Sequence, residues 1–82
     1  MLKFFEDPGH GWLEVPMDLI RALGVAADIS GYSYRKGTMA YLEEDCDAAV
    51  FLEAFRKQYG TSPALDRVYQ DPTPIRSYSR YV

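Results

Sequence analysis

The chain has 82 residues, a formal net charge of −3, 48% hydrophobic and 15% aromatic residues, and one cysteine. That length allows one domain, and that composition excludes a disordered chain. A single cysteine excludes an internal disulfide, no stretch approaches the roughly 18 apolar residues of a membrane helix, and no signal peptide is visible, so a soluble cytoplasmic protein is expected.

In chain order, Leu2 to Glu6 reads as a short strand rich in Phe. Asp7-Pro8-Gly9-His10-Gly11 is a turn, and Trp12 to Val15 is the return strand, with Trp12 and Glu14 on one face and Leu13 and Val15 on the other. Pro16 suits a helix start, Asp18 the first turn, and Leu19, Ile20 and Leu23 an apolar stripe that Gly24 ends. Gly31 to Arg35 and Thr38 to Glu43 predict a second hairpin around Lys36-Gly37. Asp45 is the expected N-cap of a second helix, whose stripe is Ala48, Phe51, Leu52, Phe55 and Tyr59 and whose stop is Gly60. Beyond Thr61, Pro63, Pro72 and Pro74 interrupt the pattern. Leu65, Val68 and Tyr69 suggest one amphipathic turn, and Ile75 to Val82 either an edge strand or a mobile end.

A phrase repeats at an offset of 29 residues. Trp12-Leu13-Glu14 with Asp18 is echoed by Tyr41-Leu42-Glu43 with Asp47, and the same offset pairs Phe5 with Tyr34 and Leu23 with Leu52. Chance matching in a short window is the alternative. The expected fold is α+β, a ββαββα two-layer sandwich with a four-stranded, mostly antiparallel sheet and two helices on one face. Residues 1–60 would be the core domain and residues 61–82 a basic, Pro-containing tail packed on it or extending from it. Acids dominate residues 1–55 and bases residues 56–82. An acidic body disfavours nucleic acid and favours basic partners.

The densest charge run is Glu43-Glu44-Asp45-Cys46-Asp47. Three readings compete: acids gathered by a helix dipole, a hard-cation site that lacks the spacing and glycine of a Ca²⁺ loop, and a surface meeting a partner's Arg and Lys. On the third reading the partner-binding residues are Glu43, Glu44, Asp45 and Asp47, joined by Glu14 and Asp18, with Tyr32, Tyr34 and Trp12 as aromatic anchors. His10 reads as a polar turn residue and Cys46 as a small half-buried one, its thiolate opposed by neighbouring acids. Neither builds a metal or catalytic site, so no enzyme, metal or cofactor is expected. Arg76-Ser77-Tyr78-Ser79-Arg80-Tyr81 interleaves residue types common at interfaces, and packing on the acidic body or self-association is preferred to nucleic acid.

Phe5-Glu6-Asp7-Pro8-Gly9-His10-Gly11-Trp12-Leu13-Glu14-Val15-Pro16, with Tyr32-Ser33-Tyr34 and Tyr41-Leu42-Glu43-Glu44-Asp45-Cys46-Asp47, resembles small proteins of bacteriophages and other mobile elements. The resemblance covers residues 4–55 and carries no established activity. By analogy of size, charge and origin it implies an anti-CRISPR or other anti-defence inhibitor that binds a host CRISPR–Cas or restriction subunit in the bacterial cytoplasm and blocks nucleic-acid access. The partner would be a basic nucleic-acid-binding protein, with no direct contact to nucleic acid or membrane. The alternative is a self-associating regulatory module with the tail as its oligomer arm.

Overall fold

The computed structural model describes residues 1–81. Strands β1 (Leu2–Glu6) and β2 (Gly11–Pro16) form a hairpin and lead into helix α1 (Met17–Ala22). Strands β3 (Tyr34–Lys36) and β4 (Met39–Glu43) form a second hairpin and lead into helix α2 (Asp47–Tyr59). Strands β5 (Leu65–Tyr69) and β6 (Ser79–Arg80) follow, with tight helical turns at Ala26–Asp28 and Pro74–Ser77.

The α+β class holds, but the sheet is larger and mixed. Its six strands run in the order β5-β1-β2-β4-β3-β6. The expected tail supplies both outer strands: β5 lies parallel to β1, and β6 antiparallel to β3. The segment after residue 60 thus adds strands to the sheet begun by residues 1–60. The apolar residues of 65–69, spaced as for a helical turn, belong to an edge strand instead. An edge strand buries little, so its sequence shows no clear alternation. Val82, the last residue of the expected tail, lies outside the described residues.

The repeat is visible in the strand register. β2 pairs β4 with Leu13 opposite Leu42, Trp12 opposite Glu43, and Glu14 opposite Tyr41. Applying the 29-residue offset exchanges the last two pairs and leaves the first in place, the pattern of a local two-fold axis at Leu13–Leu42. The hairpins obey it too, with Phe5 opposite Trp12 in one and Tyr34 opposite Tyr41 in the other.

Side-chain alternation gives the sheet two different faces. Phe4, Leu13, Val15, Ala40 and Leu42 point toward the helices and pack with Met17, Ile20, Ile29, Ala48 and Phe51. Trp12 and Tyr41 point the other way, flanked by Phe5, Tyr34 and Met39. Residues 73–78 cross that reverse face and cover it with Ile75 and Tyr78. The crossing is shaped by Thr73, whose hydroxyl accepts from the Ile75 amide. The structure is thus helices, sheet and a C-terminal strap, where two layers were expected. Gly11 is required at its position: a Cβ there would lie 2.5 Å from Phe4 Cζ.

Candidate binding cleft

The reverse face holds the candidate site. A cleft of about 370 Å³ is lined by His10, Trp12, Tyr32, Tyr34, Glu43, Cys46, Arg76 and Arg80. These residues come from the first hairpin turn, β2, the loop before β3, β3 itself, β4, the residue that caps α2, the strap and β6. Sequence distance does not separate them because the strap folds back over the two hairpins.

Its most heavily hydrogen-bonded part is a clasp between hairpin and strap. Asp7 accepts main-chain bonds from Gly9 and His10 through Oδ1, which closes the turn. The same carboxylate accepts from Arg76 Nε at 2.8 Å and from Arg76 Nη2 at 3.2 Å. The Arg76 bond, followed by the two amides, holds the Asp7 carboxyl down at about 2 against an ordinary value of 3.8. The Arg76 guanidinium lies 5.1 Å from the centre of the Trp12 ring, and the His10 ring stacks at 5.9 Å. Two further cations repeat the motif on this face: Arg80 over Tyr34 and Lys36 over Tyr78, each at 4.8 Å.

The two-fold pattern breaks at this cleft. On one side of the axis Tyr41 Oη donates to Glu14 at 2.9 Å, and burial followed by that bond raises the Tyr41 phenol well above its ordinary value. On the other side Trp12 faces Glu43, but Glu43 Oε2 accepts the Asp45 amide instead. Trp12 Nε1 is the one buried side-chain polar atom without a partner among the described residues. Equivalent positions thus give a filled face in one half and an open cleft in the other.

The predicted site residues divide. Tyr32, Tyr34 and Glu43 do come together, and Tyr32 is 69% exposed. Glu44 and Asp45 are exposed and make no ion pair among the described residues, but Glu44 lines the helix-side groove with Phe4, Leu13 and Leu65 and not this cleft. Asp47 does not belong to this surface. It is 2% exposed, and its carboxylate accepts from the Ser30 amide and the hydroxyls of Ser30 and Ser33. Ser33 Oγ in turn accepts the Glu43 amide. Asp47 is therefore a buried brace that fixes the loop carrying Tyr32. Glu14 is half-buried and occupied by Tyr41. Asp18 is exposed but pairs with Arg21, and it follows the Pro16–Met39 end of the central strands, away from Trp12–Glu43. Those ends are about 13 Å apart at roughly 3.3 Å per residue. Asp45 is also not the helix cap: Cys46 occupies that position, without a side-chain capping bond.

Sequence reasoning missed the strap's share of the cleft. Arg76 belongs to the tight turn Pro74–Ser77 and Arg80 to β6, so no single spacing along this segment announced that both would line the cleft. His10 and Cys46 line the same cleft, yet no hydrogen bond joins them among the described residues, and His10 Nδ1 lies 3.1 Å from Arg76 Nη2. No cluster of three or more His, Cys, Asp or Glu suited to a metal ion occurs among the described residues. No helix there is long and apolar enough to cross a membrane.

Compared with protein-family models, curated proteins and solved structures, the chain finds no match.

Proposed function

We propose that this chain is an interaction protein that works by binding rather than catalysis, and that its partner presents basic residues to Tyr32, Glu43 and Asp45 at the rim of the cleft. The observation that carries this reading is how the charges in and around the cleft are committed. Arg76 is held by Asp7, and Arg80 donates to the Gly31 carbonyl and covers Tyr34. Glu43 and Asp45 enter no ion pair among the described residues, and the Tyr32 ring, which lines the cleft with Glu43, stands 69% exposed. An exposed aromatic next to uncommitted carboxylates fits an incoming Arg or Lys, through a ring-face contact and a charge-assisted bond.

Joined to the resemblance to small mobile-element proteins, the reading becomes an inhibitor. It would occupy the basic nucleic-acid-binding surface of a host CRISPR–Cas or restriction subunit in the bacterial cytoplasm.

Affinity capture from a bacterium expressing such systems tests it. The unaltered chain retains a defence subunit at low salt and releases it at high salt. Glu43→Lys with Asp45→Lys abolishes capture and Tyr32→Ala weakens it, whereas Asp18→Lys, at the other end of the sheet, leaves it intact. Undiminished capture by the doubly reversed variant sinks the acidic-rim mechanism.

A further inference from the structure

The sheet has two edges of different character. At one, β6 is two residues long, and the chain then turns inward, where the Tyr81 amide donates to Ser33 O and its hydroxyl to Ala26 O. At the other, β5 runs five residues with no strand beyond it among the described residues.

The register shows which main-chain groups β5 leaves open. Leu2 N donates to Ala64 O at the start of the β1–β5 ladder, and Gln70 N donates to Glu6 O at its end. In a parallel pair alternate residues turn both main-chain groups to the neighbour. Ala64, Asp66, Val68 and Gln70 thus face β1, and Leu65, Arg67 and Tyr69 turn their N–H and C=O outward. The usual guards of an open edge are missing from the strand interior, which holds no proline and no bulge. Its single cation is already used: Arg67 bonds Glu6 and lies over the Phe4 ring. Leu65 and Tyr69, on the helix-side face with Arg67, are 37% and 65% exposed.

We propose that β5 pairs antiparallel with β5 of a second copy of this chain, about a two-fold axis at Arg67, to form one continuous sheet. A two-fold axis normal to a sheet keeps each side chain on its own face, so the register must place a residue opposite itself. The outward-turned residues allow Arg67 opposite Arg67, with Leu65 opposite Tyr69 of the second copy and the reverse. Each pair then exchanges both of its main-chain bonds. The two arginines meet without excess charge, because each carries its own Glu6. The two exposed apolar side chains cover one another as cross-strand pairs. A shallow, largely apolar groove of about 230 Å³ borders the same edge, lined by Phe4, Leu13, Ala49, Leu52 and Leu65 among others, so the seam continues apolar surface already present. This edge lies across the sheet from the cleft, and the pairing stands whether or not the inhibitor reading does.

Solution mass and amide exchange across a micromolar-to-millimolar series test the pairing together. The expected result is a mass that rises from one chain toward two. The Leu65, Arg67 and Tyr69 amides become protected as it rises, while Asp66 and Val68 are protected at every concentration. Arg67→Pro removes an outward N–H and spares the ladder to β1, so it should remain monomeric. Tyr69→Lys serves the same purpose if that variant misfolds, and circular dichroism confirms the fold of each. A mass of one chain throughout, with rapid exchange at Leu65, Arg67 and Tyr69, overturns the proposal. So does a dimer that survives both folded variants, or an edge protected only when another protein's extended segment is added.

Discussion

Replacing Asp47 with Ala should be the most damaging single polar change in this protein. The carboxylate is buried and accepts bonds from Ser30 N, Ser30 Oγ and Ser33 Oγ. Hydrogen bonds to a charged group contribute about 1.5–3 kcal/mol each, and a buried donor left without a partner costs about 1–3 kcal/mol. The three bonds share one acceptor and do not add fully, so the expected cost is about 3–5 kcal/mol. A domain of this size has about 4–12 kcal/mol in all, so the variant should sit near its unfolding threshold at room temperature. Asp47→Asn keeps one acceptor oxygen and should cost about 1–2 kcal/mol. Urea denaturation followed by Trp12 fluorescence reads the change as a lower midpoint at constant slope. A double-mutant cycle with Ser33→Ala should give a coupling of about 1 kcal/mol or more. A cost for Asp47→Ala below about 1 kcal/mol, or no coupling to Ser33, would refute the brace.

Three further outcomes are expected. Gly11→Ala drives a Cβ to 2.5 and 2.7 Å from two Phe4 ring atoms, and should lower stability by about 1–3 kcal/mol in the same assay. The folded Asp7 carboxyl titrates below its unfolded value, so the clasp stabilises the fold above pH 3.8 and that contribution is lost as pH falls toward about 2. Trp12 emission should report that loss on acid titration, and Asp7→Asn should abolish the transition. Burial raises the Tyr41 and Tyr81 phenols above their ordinary value of 10.0, so both stabilise the fold below that pH and the contribution is lost as pH rises past it. Phenolate absorbance should then show Tyr41 ionising late, and earlier in Glu14→Gln.

The hairpins, both helices and the facing of Trp12 and Leu13 were legible in the sequence because local alternation and helical spacing dictate them. The aromatic pairing of Phe5 with Trp12 and of Tyr34 with Tyr41 was latent in the repeat. Three things were not legible. β5 joins β1 across more than sixty positions, and nothing local announces a parallel partner. Asp47 occupies the repeat position of Asp18, yet one is buried and the other exposed, because only the second copy has Ser30 and Ser33 placed to receive it. Arg76 and Arg80 enter the cleft only when the strap crosses the sheet, a path set by Ile75 and Tyr78 finding the exposed aromatic face. The acidic run was read as one surface since its members are neighbours in the chain, but a chain entering a helix turns neighbours in different directions.

The exchange of Trp12–Glu43 with Glu14–Tyr41 around Leu13–Leu42 has an evolutionary consequence. A single ββα unit could have built the same central four strands by dimerising, β2 against β2, with both halves bound to identical side chains. Duplication and fusion lift that constraint. Each position then exists twice, and one copy can keep the contact that maintains the fold while the other drifts. Glu14 holds Tyr41, whereas its counterpart Glu43 accepts the Asp45 amide and lines a cleft beside Trp12.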